Sequence, residues 1–431
     1  MQAVIMAGGK GTRLASVTKN VPKPMVLIEG KPLLQYQIEN LKANGVSDII
    51  LVVGYMGRVI QDYFKDGSAF GVNIHYYVED TPLGTAGALT ELENQLDDTF
   101  LLVLGDLFIN VNYERFIAFH QMKKAIISLF SHPNSHPYDS DIIVTDDSGC
   151  VTGWLYKNRK RTDSYKNLVN AGIYVANKEI LKFIPLHQKV DLEKDVITPQ
   201  ISSGRVFAYQ SSEYVKDIGT PDRLSKVVQD LKNGISECRN LKNKQKVIFL
   251  DRDGTLNRYV GFLRNASEVE LESKVAEAVR LINESEYLAI VITNQPVIAR
   301  GECSFEELER IHNRIYTLLG EKGAYLDGLY FCPHHPDSGF EGEVKELKIR
   351  CECRKPKIGM LKKAEKEFNV DFSQSWMIGD TNIDVQMGIN GGLHTVLLQT
   401  GDPNKAGKCQ VSADYDAPDL LDAVKYILKK S

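Results

Sequence analysis

Short apolar runs that suit buried strands alternate along this chain with stretches of helical periodicity. The runs Ala3–Ala7, Asp48–Gly54 and Thr99–Gly105 are separated by amphipathic stretches such as Leu33–Ala43. This alternation predicts an α/β fold, in which a mainly parallel sheet is covered by helices. Functional residues are expected at the carboxyl ends of the strands, because ligands of such sheets bind there.

The same pattern starts afresh at Lys246, which predicts a second domain of the same class. A helix predicted from Pro221 to Lys232 closes the first domain, and the polar stretch that follows it indicates a linker. A chain of 431 residues is also longer than single hydrophobic cores usually grow. We therefore predict domains at 1–232 and 246–431, joined by a linker at 233–245.

Composition excludes several classes of protein. With 43% hydrophobic and 25% charged residues the chain is typical of folded globular domains, and its net charge of -4 gives no field that attracts nucleic acid or anionic membranes. No apolar run approaches the ~20 residues that span a bilayer, and the first residues lack the features of a signal peptide. We expect a cytoplasmic protein that acts on small molecules without nucleic acid or membrane partners, and a homo-oligomer is left open.

Gly8–Arg13 is a glycine-rich loop directly after the first predicted strand. Its backbone amides could close around phosphate oxygens, and Arg13 would add a planar cation, although a tight turn without a ligand explains an isolated loop equally well. Lys23 lies between two prolines that stiffen the backbone. Asp106 and Asp217 are carboxylates at predicted strand ends, and together they could hold Mg²⁺.

Residues 1 to about 232 resemble the sugar-1-phosphate nucleotidylyltransferases, because AGGKGTRL, VPKPM, PLGTAGAL, LGD and DIGTP occur in the family's order. The resemblance implies a Rossmann-like domain in which a sugar 1-phosphate attacks the α-phosphorus of a nucleoside triphosphate. It also implies that Lys23 stabilises charge at the reacting phosphate and that Asp106 and Asp217 bind Mg²⁺. The implied nucleotide-binding residues are Gly8, Gly9, Gly11, Thr12, Arg13, Gly84 and Thr85.

The sugar side of this resemblance is less complete. Asn170 and Gly172 match the family's sugar-contacting strand, and Lys157 lies where a Glu-Lys pair usually reaches the sugar phosphate. Tyr156 replaces the glutamate, which indicates a different sugar. A solvated loop explains the basic run 157–161 equally well.

The pentapeptide DRDGT starts at Asp251, at the end of a predicted buried strand. The first carboxylate can attack phosphorus, and Asp253, two residues on, can protonate the leaving alkoxide. Thr293 at a later strand end, Lys355 in a Cys-Arg-Lys-Pro segment and Asp380 after a glycine follow in order. A plain acidic turn would not explain these later partners.

From about residue 246 onward this order resembles the haloacid-dehalogenase-type phosphatases. The resemblance implies that Asp251 is the nucleophile and that Asp253 is the acid and base. Lys355 would anchor charge, with Lys357 as an alternative. Asp253 in the second motif position favours hydrolysis of a phosphate ester over ATP-driven transport. The implied Mg²⁺ ligands are Asp251, Asp380 and the backbone oxygen of Asp253, and the implied phosphate-binding residues are Thr293, Asn294 and Arg354.

Four soft or borderline metal ligands lie in two short pairs, Cys332-Pro-His334 and Cys351-Glu-Cys353. Three thiols and one imidazole suit tetrahedral Zn²⁺. The segments resemble the zinc loop of heptose bisphosphate and histidinol phosphate phosphatases. A structural zinc is expected, because the four ligands leave no open position. The other cysteines, Cys150, Cys238, Cys303 and Cys409, are interpreted as ordinary thiols.

Two catalytic domains in one chain suggest consecutive reactions. The resemblance implies removal of the 7-phosphate of D-glycero-α-D-manno-heptose 1,7-bisphosphate, and then GMP transfer from GTP to heptose 1-phosphate for lipopolysaccharide or S-layer glycans. One alternative joins a mannose-1-phosphate guanylyltransferase to a histidinol-phosphate-like phosphatase. Another makes one domain an inactive regulatory module, against which the intact aspartates argue. The segment Gly84–Ala88 also occurs in relatives that use other bases.

Overall fold

The computed structural model of the chain describes residues 1–9, 21–161, 164–339, 341–401 and 411–430. Its contacts divide the chain into two compact units. The first unit comprises Met1–His132, Ile143–Leu155 and Asn170–Asn240, and the second comprises Pro133–Ile142, Tyr156–Val169 and Leu241–Ser431. The domain bounds at 232 and 246 stay a prediction.

Strands β1 to β13 precede the predicted linker at 233–245, and strands β14 to β19 follow it. In chain order the first group is β1 Gln2–Met6, β2 Leu27–Ile28, β3 Lys31–Pro32, β4 Asp48–Val53, β5 Asn73–Val78, β6 Thr99–Leu104, β7 Leu107–Asn110, β8 Ile127–His132, β9 Ile142–Thr145, β10 Val151–Leu155, β11 Val169–Asn177, β12 Val206–Gln210 and β13 Tyr214–Asp217. The second group is β14 Lys246–Leu250, β15 Tyr287–Asn294, β16 Gly328–Cys332, β17 Trp376–Gly379, β18 His394–Leu398 and β19 Tyr415–Ala417.

The α-helices fall into the same two groups. The first is α1 Leu33–Ala43, α2 Gly57–Phe64, α3 Ala88–Glu91, α4 Tyr113–Lys123, α5 Thr198–Gln200, α6 Pro221–Lys232 and α7 Ile235–Cys238, and the second is α8 Val275–Asn283, α9 Phe305–Gly320, α10 Gly359–Phe368, α11 Asn382–Gly391 and α12 Leu420–Lys430. Helix α7 lies within the predicted linker. None of the helices in the described ranges combines the length and the apolar character that a bilayer crossing requires.

The larger sheet has the strand order β10-β9-β11-β6-β1-β4-β5, with β8 and β12 attached through β11. Its centre is parallel, because β1 pairs in parallel with β4 and β6, whereas β11 runs antiparallel to β6. The sheet is therefore mixed rather than wholly parallel. Met6 lies opposite Leu104 at the carboxyl ends of β1 and β6, which brings the Gly8 loop beside Asp106.

The six-stranded sheet of the second unit is entirely parallel and has the order β16-β15-β14-β17-β18-β19. Leu250 pairs with Val291 on one side and with Ile378 on the other, so three strands end at the same edge. This register explains why Asp251, Thr293 and Asp380 meet although more than 40 positions separate each from the next. Apolar side chains of β14 and β15 are fully buried on both faces of the sheet, as a helix-covered parallel sheet requires.

Candidate active sites

A cavity of about 380 Å³ opens at the carboxyl edge of β1 and β6 in the first unit. It brings together segments that lie far apart in the sequence, including several of the predicted nucleotide-binding residues. Its polar and glycine lining comprises Gly8, Gly9, Lys23, Glu79, Gly84, Thr85, Gly105, Asp106, Lys189 and Gly219. Gly11, Thr12 and Arg13, which are also predicted to bind nucleotide, lie outside the described residues.

Two glycines of this lining lie where a side chain would approach a neighbour closely, and at Gly84 the backbone itself requires glycine. A Cβ on Gly8 would lie against the Glu79 carboxylate, and a Cβ on Gly84 would lie against the carbonyl oxygen of Val190. Gly84 also has φ +82°, a left-handed conformation that side chains rarely adopt. The amide of Thr85 donates to the same Val190 carbonyl at 3.0 Å, which fixes this loop at the cavity wall.

Lys23 places an ammonium group beside one predicted metal-binding carboxylate, Asp106, and close enough to the other, Asp217, for its charge to act on it. Lys23 Nζ lies 2.7 Å from Asp106 Oδ2. Gly219 lies close to both Lys23 and Asp217, because a Cβ at this position would be 3.7 Å from Lys23 Nζ and 2.7 Å from Asp217 Oδ1. Although burial raises the pKa of Asp217, the Arg223 guanidinium at 2.6 Å outweighs that effect and holds the pKa below its usual value. Asp217 therefore remains ionised, and the carboxylate oxygens of Asp106 and Asp217 are the donor type that a hard divalent cation such as Mg²⁺ prefers.

Residues of the sugar-contacting strand predicted from the sequence belong to a partly buried polar cluster. Asn170 Nδ2 donates to Glu193 Oε1 at 2.6 Å and to the Tyr174 hydroxyl at 2.7 Å, and Asn170 Oδ1 accepts from the Gly172 amide at 3.2 Å. Sequence reasoning missed Glu193, which has no motif of its own. Lys157 Nζ donates to the Asp139 carbonyl at 3.1 Å, and the sugar contact of Lys157 stays a prediction.

In the second unit, Lys355 lies buried between two aspartates at the carboxyl edge of β14. Its Nζ is 2.6 Å from Asp251 Oδ1 and 2.6 Å from Asp384 Oδ1, and it donates to the Ile292 carbonyl at 3.0 Å. Burial lowers the pKa of Lys355, but the two carboxylates outweigh it and raise the pKa above its usual value. Lys357, the alternative, pairs instead with the exposed Glu352 at 2.8 Å.

A group of carboxylates next to Lys355 provides oxygen ligands. The oxygens of Asp251, Asp380 and Asp384 lie within 4.8 Å of one another. Asp384 is already engaged, because its second oxygen caps α11 through the Thr381 hydroxyl at 2.6 Å. A Cβ on Gly254 would collide with Asp380, so the glycine of the DRDGT motif leaves room for that carboxylate. The donor set fits Mg²⁺ on Asp251 and Asp380, whereas Asp384 orients Lys355.

The Asp253 carboxylate is held by three neighbours. It accepts from Arg252 Nη2 at 2.9 and 3.0 Å, from Asn257 Nδ2 at 3.0 Å and from Gln295 Nε2 at 2.8 Å. Burial raises the pKa of Asp253, but the Arg252 charge and these hydrogen bonds outweigh it and hold the pKa below its usual value. Sequence reasoning missed these partners, although all three lie inside or beside the motif segments DRDGTLN and TNQ.

The other predicted phosphate-binding residues have distinct surroundings. The Thr293 hydroxyl accepts from Gln295 Nε2 at 2.8 Å, and Asn294 Oδ1 accepts from the Lys355 amide at 2.9 Å. Arg354 Nη1 donates to the His334 carbonyl at 3.2 Å and so braces the predicted zinc loop. The structure therefore brings all three near the Lys355 segment, while their contacts with a phosphate stay predictions.

Cys332, His334, Cys351 and Cys353 converge as the sequence predicts. Their Sγ to Sγ distances are 3.2 to 3.5 Å, and His334 Nδ1 lies 3.3 and 3.6 Å from the Sγ atoms of Cys353 and Cys332. Four such atoms suit a tetrahedral ion with ligand bonds of about 2.0–2.3 Å. The residues therefore fit Zn²⁺.

Comparison with known proteins identifies two matching families. The model of the family described as nucleotidyl transferase matches residues 2–234, and that of the HAD-hydrolase-like family matches residues 352–423. These matches support a nucleotidyltransferase and a phosphatase in one chain.

Three curated relatives make the similarity more specific. Mannose-1-phosphate guanylyltransferase of Mycobacterium tuberculosis is 31% identical over 56% of this chain and 67% of its own length. D-glycero-alpha-D-manno-heptose 1-phosphate guanylyltransferase of Aneurinibacillus thermoaerophilus is 32% identical over 54% of this chain and 100% of its own length. D-glycero-beta-D-manno-heptose-1,7-bisphosphate 7-phosphatase of Yersinia pestis is 39% identical over 42% of this chain and 94% of its own length.

Proposed function

Because this chain belongs to the nucleotidyl transferase family over residues 2–234 and also to the family of the heptose bisphosphate 7-phosphatases, we propose that it catalyses two consecutive steps of GDP-heptose synthesis. The phosphatase removes the 7-phosphate of D-glycero-α-D-manno-heptose 1,7-bisphosphate. The nucleotidyltransferase then transfers GMP from GTP to heptose 1-phosphate and releases pyrophosphate. One observation carries the proposal: this chain matches one relative named as a D-glycero-alpha-D-manno-heptose-1,7-bisphosphate 7-phosphatase and another named as a D-glycero-alpha-D-manno-heptose 1-phosphate guanylyltransferase. The product of the first reaction is the substrate of the second.

The phosphatase step begins when a carboxylate oxygen of Asp251 attacks phosphorus in line with the ester oxygen. The bond from phosphorus to that oxygen breaks, and Asp253 gives a proton to the leaving alkoxide. Because Arg252 and the hydrogen bonds to Asp253 favour its ionised form, Asp253 has to take up that proton once the anionic substrate is bound. Water then attacks the aspartyl phosphate, Asp253 takes the water proton, and inorganic phosphate leaves. Lys355 orients Asp251 and balances its charge, as its 2.6 Å ion pair supports. Mg²⁺ held by Asp251, Asp380 and the Asp253 backbone oxygen would neutralise charge on the phosphoryl group.

The nucleotidyl transfer needs no protein nucleophile. An oxygen of heptose 1-phosphate attacks the α-phosphorus of GTP, and the bond to pyrophosphate breaks. The chain aligns two polyanions and offsets their charge, for which the buried Lys23, 7% exposed, is placed at the cavity wall. Mg²⁺ on Asp106 and Asp217 would supply further positive charge at the reacting phosphates.

Glu79 supports guanine as the base. It lines the cavity beside Gly8 and Gly84, and its Oε1 is fixed by the Leu83 amide at 3.0 Å. Guanine presents two adjacent donors, N1–H and the N2 amino group, to a carboxylate, whereas the N3–H of uracil and thymine is flanked by carbonyl oxygens that a carboxylate repels. The Glu79 carboxylate is partly shielded from water, and this burial raises its pKa. Hydrogen bonds to a base are stronger in such a shielded site than in water.

The two guanylyltransferase relatives, one named for mannose 1-phosphate and one for heptose 1-phosphate, are 31% and 32% identical to this chain, so identity alone does not choose between the two sugars. The phosphatase favours heptose, because its relative acts on a heptose bisphosphate. The α-anomer is supported by the guanylyltransferase relative and by a phosphatase relative of Photorhabdus laumondii, both named for the α-sugar, although the phosphatase relative of Yersinia pestis is named for the β-bisphosphate. We extend the proposal to a structural Zn²⁺ on Cys332, His334, Cys351 and Cys353, and to the cytoplasm, where GTP is available.

A comparison of substrates tests this function. In parallel reactions with Mg²⁺ and GTP, the whole chain receives the α-heptose 1,7-bisphosphate, the β-heptose 1,7-bisphosphate, histidinol phosphate, heptose 1-phosphate or mannose 1-phosphate, and phosphate, pyrophosphate and GDP-sugar are followed over time. Phosphate release from the α-anomer should precede pyrophosphate and GDP-heptose. Faster turnover of histidinol phosphate than of either bisphosphate, or of mannose 1-phosphate than of heptose 1-phosphate, would overturn the heptose assignment. Preference for the β-anomer would overturn the anomeric assignment alone.

A further inference from the structure

Arg252, which lies between the two aspartates of the DRDGT motif, is directed into the protein interior. It is 0% exposed, although arginine is rarely fully buried without a specific partner. Its Nη2 donates to both oxygens of Asp253 and to Gln295 Oε1 at 2.8 Å, and its Nη1 lies 3.2 Å from His312 Nε2. The two ends of the guanidinium are therefore held by different elements of the fold.

His312 comes from α9 and has a defined protonation state in this setting. Guanidinium groups only donate hydrogen bonds, so His312 Nε2 must accept and the ring proton must lie on Nδ1. Burial, and secondly the Arg252 charge, lower the pKa of His312 well below its usual value, which agrees with a neutral imidazole. The ring also packs against Phe331, with centroids 5.4 Å apart, so its plane is fixed.

We propose that His312 and Arg252 are positioning residues that hold the Asp253 carboxylate in place for proton transfer to the leaving alkoxide. His312 accepts a hydrogen bond from Arg252 Nη1 and thereby orients the guanidinium, whose Nη2 donates to both carboxylate oxygens of Asp253. Without the imidazole acceptor, a buried Nη1 loses its partner, and the arginine is expected to shift and take Asp253 with it. The inference rests on the proposed role of Asp253 as the general acid.

The leaving group separates positioning from general damage. A sugar alkoxide is a poor leaving group that needs the proton of Asp253, whereas 4-nitrophenolate leaves without it. The ratio kcat/KM covers the steps up to departure of the leaving group, so it excludes the later hydrolysis of the aspartyl phosphate, in which Asp253 also acts. Misplacement of Asp253 should thus lower kcat/KM for the sugar ester and spare the aryl ester.

The experiment compares variants of the whole chain on the heptose bisphosphate and on 4-nitrophenyl phosphate. His312→Leu, which removes the acceptor, should lower kcat/KM for the sugar ester by about tenfold and for the aryl ester by less than about twofold. His312→Gln, which restores an acceptor oxygen, should recover most of the loss. Ile315→Val, a buried change on the same helix, should leave the ratio of the two rates unchanged.

Asp253→Asn distinguishes failure of this inference from failure of the proposed acid. If Asp253→Asn lowers both esters equally, Asp253 is not the acid and the inference falls with it. If Asp253→Asn is selective for the sugar ester but His312→Leu lowers both esters equally, or neither, the positioning role is wrong while the acid stands. Should His312→Leu fail to fold, Arg252→Lys, which keeps the charge but loses the two-pronged grip on Asp253, provides the same comparison.

Discussion

At the scale of the residue, burial separates two lysines that lie two positions apart. Lys355 is 5% exposed and is ion-paired with Asp251 and Asp384, whereas Lys357 pairs at the surface with Glu352. Removing one partner of a buried ion pair strongly destabilises the protein, because the remaining charge is left without solvent or a partner to stabilise it. A surface ion pair contributes little to stability.

Lys355→Met should therefore lower phosphatase kcat/KM by at least on the order of a hundredfold, because the charge beside Asp251 is lost. Lys357→Met serves as the matched control and should stay within about twofold. Phosphate release from the heptose bisphosphate is measured for both variants, with thermal unfolding to verify that each is folded. An equal loss of kcat/KM in the two variants would contradict the role of Lys355 as the charge anchor beside Asp251.

Glu79 is the residue on which the choice of base is expected to depend. Glu79→Gln replaces one acceptor oxygen by a donor, so its side chain no longer offers two acceptors to guanine and no longer repels the carbonyl oxygens of uracil. The ratio of kcat/KM for GTP to that for UTP should fall by about tenfold, while the phosphatase rate stays unchanged. Pyrophosphate release with each triphosphate gives the ratio, and an unaltered ratio would exclude Glu79 from base selection.

At the scale of the element, the predicted zinc loop joins the end of β16 to the segment before α10. Cys332 is the last residue of β16, and Cys353 lies two residues before Lys355. An ion bound by all four ligands would thus tie a strand end to the segment that carries Lys355, which explains how a structural metal can support catalysis from a distance.

Cys351→Ser should lower bound zinc from about one ion per chain to well below that, because a hard hydroxyl replaces a thiolate ligand. The second unit should unfold at a lower temperature, since metal binding adds to its folding free energy. Cys303→Ser, a change outside the cluster, is the control. Elemental analysis and thermal unfolding check both variants, and an active, well-folded protein purified without zinc would contradict the structural role.

At the scale of the whole molecule, each compact unit carries charged groups of its own at the carboxyl edge of its own sheet. The first has Lys23, Asp106 and Asp217, and the second has Asp251 and Lys355. Neither described set borrows a residue from the other, so the two reactions should be separable by single substitutions.

Asp251→Asn should abolish phosphate release from the heptose bisphosphate, because the amide cannot act as the nucleophile. Pyrophosphate release should stay near its original rate when heptose 1-phosphate is supplied directly. Asp106→Asn is the reciprocal variant, and it should remove nucleotidyl transfer while phosphate release persists. Loss of both activities in either folded variant would show that the two sites are not independent.

The sequence by itself determined the elements and motifs that local pattern encodes. Apolar runs of strand length predicted β1, β4, β6 and β14, and motifs directly after these runs placed Gly8, Asp106 and Asp251 at strand ends. Such features are predictable because hydrophobic periodicity and turn chemistry act over a few residues. The α/β class and the convergence of the four zinc ligands were predicted on the same basis, supported by resemblance.

Only the tertiary structure decided which distant side chains meet. Lys355 and Lys357 have similar sequence surroundings, but the path of the chain turns only Lys355 towards Asp251, 104 positions away. Arg252 and His312 are likewise 60 positions apart, and no local pattern marks that contact. Side chains far apart in sequence are brought together by sheet register and helix packing, and these depend on the whole core rather than on any one segment.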